Sequence, residues 1–170
     1  MSQATNKVDW CLKKANREKE EGRKHRGLIR TTLGIEGAEN HLNKAQHNLL
    51  AIDYFDKGGF SDWSMAAVFY CVYHCFLAMA VKFGYESRNQ ECTISLIRYL
   101  KEQKQIEIEE LFILALENYH EQERQESSII EKREFYTYGT TIRADKEELK
   151  RSIQLCKDCL AQTKRIIYSD

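Results

Sequence analysis

The sequence predicts an all-α protein, an up-and-down bundle of four to five helices preceded by an N-terminal helical extension. Three observations carry this. The 170 residues include no proline and only eight glycines, and Glu, Lys, Leu and Gln, which lose little rotamer freedom in a helix, are plentiful. Apolar residues recur every three or four positions in several stretches, the mark of helices with one buried face. Finally, Trp63–Phe83 (WSMAAVFYCVYHCFLAMAVKF) is apolar or aromatic at every position from Met65 to Val81 except His74. Such a helix must be wrapped by other helices or by lipid. The run falls just short of the ~20 residues a membrane span needs, and its middle holds a histidine. Gly58-Gly59 precede it, Ser61 or Asp62 is expected to cap it, and Lys82 and Gly84 close it. It reads as the central helix of a bundle, with no membrane involved.

The length suits one domain that can bury a core without staples. Apolar content is 42%, charged content 31% and formal net charge zero, which excludes coating nucleic acid by bulk electrostatics. The charge is nevertheless segregated: residues 13–30 carry eight basic and three acidic side chains, and residues 102–126 carry two and eight. MSQATNKVDW lacks the apolar core of a signal peptide. The six cysteines read as reduced small hydrophobes in helical settings, not as a disulfide frame. A cytoplasmic protein is the expectation.

In chain order, Val8, Cys11, Leu12 and Ala15 form an apolar stripe at i, i+3, i+4, i+7. The charged run KKANREKEEGRKHRG follows, read as a solvated face or, more sharply, as a basic contact for RNA or an acidic partner. TTLGIEG (31–37) is the expected boundary, dividing a helical and charged extension (1–37) from the bundle (38–170). The first bundle helix runs from about Ala38 to Lys57, its core face set by Leu42, Ala45, Leu49, Ile52 and Phe55. Beyond the central helix and the polar link YESRNQECT, a shorter helix is predicted for about Thr93–Lys101. Another starts near Ile106, with Ile108, Leu111, Ala115 and Tyr119 on one stripe. EKREFYTYGTT mixes aromatics with charge and turns at Gly139. The last helix starts at Asp145, with Glu148 three residues on as a capping box; Leu149, Ile153, Cys156, Leu160 and Ile167 face inward.

Motifs for chemistry are sparse. Cys156 and Cys159 make one C-x-x-C; with Cys71, His74 and Cys75 it has the donors of a zinc site, but small sulfur side chains also suit tight helix contacts. They read as packing, with no metal and no cofactor. No strand accompanies them, so a redox C-x-x-C on a βαβ unit is excluded. No Gly-rich phosphate loop, H-E-x-x-H or G-x-S-x-G occurs. His74 is either a buried, hydrogen-bonded imidazole or part of a polar cleft.

Taken together, FYCVYHC (Phe69–Cys75), GYESRNQECTISLI (Gly84–Ile97) and REFYTYG (Arg133–Gly139) resemble the ordered motifs of HEPN-domain proteins. The first is similar to Y-Y-A-x-F-H-A, the second to G-x-x-x-K-S-H-x-x-x-I-x-L, the third to R-x-x-x-x-Y. The resemblance spans roughly Ala38 to Ile167. It implies a helical bundle, often a homodimer, of prokaryotic toxin–antitoxin and defence systems. Many members are metal-independent ribonucleases using R-x(4–6)-H; others bind nucleotides, RNA or a small nucleotidyltransferase partner.

This chain departs from the ribonuclease motif. None of its histidines (25, 41, 47, 74 and 120) follows an arginine by five to seven positions. After Arg133 that window holds Tyr138, Gly139 and Thr140, and the histidine of the connection is Gln90. Tyrosine and glutamine are poor proton shuttles at neutral pH. The expectation is therefore a binding module for a nucleotide, RNA or protein partner, with Arg133, Tyr136, Tyr138, Asn89 and Gln90 as ligand-binding candidates. Two alternatives stand beside it. One is a ribonuclease with a displaced site, His74 or His120 working with Arg133 or Arg124. The other is an interaction subunit that docks a basic partner through an acidic helix at 102–126.

Overall fold

The computed structural model describes residues 1–117 and 128–169. Seven helices and one small sheet make up the described residues: α1 (Gln3–Glu20), β1 (Leu28–Arg30), α2 (Gly34–Lys57), α3 (Ser61–Lys82), β2 (Tyr85–Ser87), α4 (Gln90–Glu102), α5 (Glu110–Ala115), α6 (Ile129–Tyr138) and α7 (Lys146–Tyr168). This is the all-α bundle that the helical periodicity predicts.

The all-round apolar stretch is indeed the hub. Helix α3 is long and apolar enough to cross a membrane, yet 78% of its most apolar window is buried inside the protein. It packs against α2, α4, α6, α7 and β2, so the neighbouring helices cover what lipid would otherwise have to. α2 and α3 form a tight hairpin through Gly58 and Gly59, the latter at φ +82°, a conformation glycine adopts without steric cost. At the far end of this pair a Cβ on Gly37 would come within 2.8 Å of Val81 Cγ1, so glycine there permits the close helix approach. Ser61 does not cap α3 as expected. Its hydroxyl accepts from the Ala144 amide at 2.9 Å and ties the α6–α7 link to the hub. Lys82 reaches across to the end of α7 and donates to the Ile167 carbonyl at 2.9 Å, where a cation suits the helix C-terminus.

Several boundaries move. Helix α2 begins at Gly34, one turn inside the expected boundary segment. β1 and β2 pair antiparallel with Leu28 opposite Ser87 and Arg30 opposite Tyr85; three-residue strands are too short to show a period-two pattern, so the expectation of no strands was incorrect. Asn89 starts α4 earlier than predicted by accepting from the Cys92 amide at 2.9 Å. The long helix expected from Ile106 is not formed. In Ile106-Glu107-Ile108-Glu109 the isoleucines are buried and the glutamates exposed, the alternation of extended chain, and α5 spans six residues only. Residues 102–117 are therefore not one acidic helix, and Tyr119 lies outside the described residues. In α6, Ser128 and Glu131 form a full capping box. At α7 only half of the expected box forms: Asp145 accepts from the Glu148 amide at 2.9 Å, while the Glu148 side chain turns to α6.

The cysteines require a correction. Cys11 of α1 and Cys92 of α4 form a disulfide, with Cα atoms 5.9 Å apart. Both helices turn a fully buried small residue toward each other, a proximity that spacing along the chain does not encode. Cys71, Cys75, Cys156 and Cys159 are free and buried. Through Val8 and Cys11, α1 joins the same core cluster that extends to Ile167.

Candidate functional site

Helix α3 leaves one stripe partly uncovered: Trp63, Ala66, Tyr70, Tyr73 and His74, spaced three and four apart and hence on one face. Helix α6 lays Arg133 beside this stripe. The guanidinium sits 4.2 Å from the centroid of the Phe69 ring, within cation–π range. Its side chain is 23% exposed, and among the described residues its one carboxylate partner is Glu134, at a loose 3.8 Å.

An aromatic run leads away from Arg133. Phe69 stacks on Tyr73, one helical turn on, with centroids 5.6 Å apart and planes 16° apart, and meets Tyr70 edge-on at 5.0 Å. The Tyr73 hydroxyl lies 3.2 Å from Thr93 Oγ1, which in turn donates to the Asn89 carbonyl at 2.8 Å and lies 2.7 Å from Ser87 Oγ. Burial pushes the Tyr73 phenol above its ordinary pKa. The run thus joins Arg133 to the connection at 87–93.

Next to Tyr73, His74 Nδ1 lies 3.0 Å from His41 Nδ1 on α2. For that contact to be a hydrogen bond, one ring donates and the other accepts, so at least one must be neutral. Burial, with His41 and Lys44 nearby, pushes His74 down to about 4. Burial also lowers His41, against an opposing pull from Glu86. At neutral pH both rings are uncharged.

The sequence candidates fall in three places. Arg133 is on the aromatic run. Tyr136 is not beside it: its hydroxyl donates to Glu148 Oε2 at 3.1 Å, and Lys132 pairs with the same carboxylate at 3.2 Å, fastening α6 to α7. Tyr138 is 82% exposed at the end of α6. The Asn89 side chain is occupied in capping α4, and Gln90 donates to the Leu116 carbonyl at 3.4 Å. Asn89 and Gln90 also line a cleft of about 1040 Å³ bounded by α1, α4 and α5. That cleft holds Arg98, already engaged by Glu117 (2.7 and 2.8 Å) and Glu110 (2.6 Å). Its positive charge is thereby neutralised. His120 and Arg124 lie outside the described residues.

Sequence reasoning missed Phe69, Tyr73 and His41 as participants. The i, i+4 spacing of Phe69 and Tyr73 could have shown that they share a face; His41 gave no such signal. The four free cysteines meet where α3 crosses α7, Cys71 against Cys156 and Cys75 against Cys159. The neighbouring thiols hold Cys75 below its ordinary value and push Cys71 and Cys159 up. Among the described residues no group of three or more His, Cys, Asp or Glu is arranged to hold a metal ion. Compared with protein-family models, curated proteins and solved structures, the chain matches none.

Proposed function

We propose that this protein is a HEPN-like binding module without the ribonuclease motif, and that it engages a nucleotide or RNA through Arg133 and the aromatic face of α3. The observation that supports this reading is the setting of Arg133. The guanidinium lies 4.2 Å from the Phe69 ring centroid and, among the described residues, has no carboxylate closer than Glu134 at 3.8 Å, which leaves its planar fork unsaturated for bidentate contact with phosphate. Tyr70 and Tyr138, 46% and 82% exposed, offer π-faces on which bases stack without sequence preference. Leu50, Tyr54 and Trp63 are exposed apolar groups of α2 and α3 and suit a homodimer through these helices. The toxin–antitoxin or defence context and a small nucleotidyltransferase partner rest on the family resemblance; the cytoplasmic expectation rests in part on reduced cysteines, a ground the Cys11–Cys92 disulfide removes.

The neutral His41–His74 pair favours binding over a displaced nuclease. An imidazole with a pKa near 4 is a weak proton acceptor at neutral pH, and its Nδ1 is occupied. An acidic docking helix is also disfavoured, because Glu110 and Glu117 are held by Arg98 and Lys101 and the segment is broken by a turn.

The test is titration of a labelled nucleotide and a labelled single-stranded RNA into wild type and Arg133→Ala. Binding is expected to vanish in the variant. Loss of the cation–π contact costs about 0.5–1 kcal/mol, so Tm should fall by only about 1–4 °C. Mixed-sequence RNA should remain intact. Unchanged binding, or a collapse of Tm that makes Arg133 a structural residue, refutes the reading, and cleavage lost in Arg133→Ala establishes the nuclease instead.

A further inference from the structure

We infer that the loop after α1 forms a second phosphate-binding site, contacting the backbone of a single-stranded RNA away from Arg133. The identity of the strand rests on the reading above; the bay itself does not.

The basic excess of residues 13–30 is gathered by backbone geometry. Past Glu20 the chain reverses at Gly22, φ +70°, and the Arg23 amide donates to the Glu18 carbonyl at 2.8 Å. The loop then doubles back until Gly27 lies against α1. A Cβ at Gly27 would stand 2.4 Å from the Cys11 carbonyl oxygen, so only glycine lets the loop press this close. The result is a bay of about 400 Å³ lined by Lys14, Glu18, Arg23, Lys24 and Arg26.

Glu18 is the floor. It is 7% exposed and accepts from the Arg26 amide at 2.5 Å, with Lys14 at 4.0 Å. The Arg26 amide, followed by Lys14, Arg23 and Arg26, holds its carboxyl below the ordinary range. One internal oxyanion is therefore already stabilised here by Lys14, Arg23 and Arg26, and Lys24 completes the cationic lining. Arg23 also pairs with Glu21. Among the described residues, the side chains of Lys24 and Arg26 have no carboxylate within ion-pair distance, and both are exposed.

The lining decides between partners. A protein partner of useful affinity needs an apolar centre within a polar rim, and every lining residue here is charged. A phosphodiester strand needs only cations and amide donors, and draws its affinity from released counterions. The zero net charge of the chain makes this a local contact and not a coating surface.

The experiment measures affinity for a labelled single-stranded RNA across a range of salt concentrations. Each phosphate contact on a single strand contributes about 0.7 to the slope of log K against log salt, so Lys24→Ala with Arg26→Ala should flatten it by about 1.4. Arg26→Ala keeps the backbone amide bonded to Glu18, and Lys24→Gln alone, at an exposed site, provides a variant with little risk of misfolding and an expected drop of about 0.7. Lys24→Arg with Arg26→Lys should restore the wild-type slope. A slope unchanged in both alanine and glutamine variants overturns the inference, as does wild-type protein that binds no RNA at any salt. If Arg133→Ala binds RNA normally while the bay variants lose slope, the bay stands and the Arg133 reading falls. If only Arg133→Ala weakens binding, the reverse holds.

Discussion

Reducing the Cys11–Cys92 disulfide should cost this protein a large part of its stability, and α1 should loosen first. The bond closes a loop of 81 residues in sequence separation. On the chain-entropy account, opening a loop of that length releases about 4.5 kcal/mol of unfolded-state constraint at 25 °C. With a urea m-value of about 2 kcal/mol/M, the unfolding midpoint should fall by about 2 M. Beyond the disulfide, α1 is held by the small buried side chains of Ala4, Val8 and Ala15 and by polar contacts of modest strength. Its other ties to α4 include the Lys7–Glu91 ion pair at 2.6 Å and the Ser2–Glu102 hydrogen bond at 2.5 Å, exposed contacts of the kind worth under about 1 kcal/mol. Freshly denatured, unreduced protein should titrate four thiols, and reduced protein six. Urea unfolding with and without a phosphine reductant, read by tryptophan fluorescence, then gives the shift; Trp10 lies on α1 and Trp63 on α3. Amide exchange in the reduced native protein should lose protection in α1 before α3. Six thiols in the unreduced sample, or a midpoint that moves by less than about 0.5 M, refutes the reasoning.

Further outcomes follow from the same geometry. His74 is pushed down to about 4 and His41 is lowered, so the unfolded chain, with histidine near 6.5, binds protons more tightly than the native one. The stability from the neutral pair is whole above about pH 6.5 and is lost as pH falls through about 4; Tm measured from pH 7.5 to 4 should show this decline, and His74→Gln should flatten it. Asn89→Ala removes the α4 cap and should cost about 1 kcal/mol, or about 2–4 °C in Tm. Asn89→Ser should recover most of that, and neither should alter affinity for a ligand at Arg133; a ligand defect at unchanged Tm would return Asn89 to the binding residues.

The candidate site was only partly legible. Arg133 stands out in the sequence, and the structure gives it an aromatic support, but that support is Phe69, not the nearby Tyr136. In helix α6 Tyr136 faces α7 and uses its hydroxyl on Glu148. Asn89 and Gln90 belong to the same connection as Thr93, yet their side chains serve α4 and Leu116. Chain neighbours on a helix point in different directions, so adjacency in REFYTYG did not mean a shared pocket. The basic run was visible as charge; its conversion into a bay depended on Gly22 and on the close approach of Gly27 to α1.

Local physics sets the features of this protein that can be read along the chain. Helical class follows from the absence of proline and the three-to-four periodicity, and the hub follows from Met65–Val81, whose apolar surface on every side demanded cover. Asp145 and the turn at Gly58-Gly59 were readable because caps and turns involve residues close in the chain. Tertiary structure alone decided that Cys11 meets Cys92, that His41 meets His74 and that Arg133 lies on Phe69. These pairs depend on the rotation and crossing of packed helices, which are set by the whole core at once. The three-residue strands belong with them: Leu28–Arg30 has too few residues to carry a period, and pairs with Tyr85–Ser87 because the helices on either side bring the two segments together.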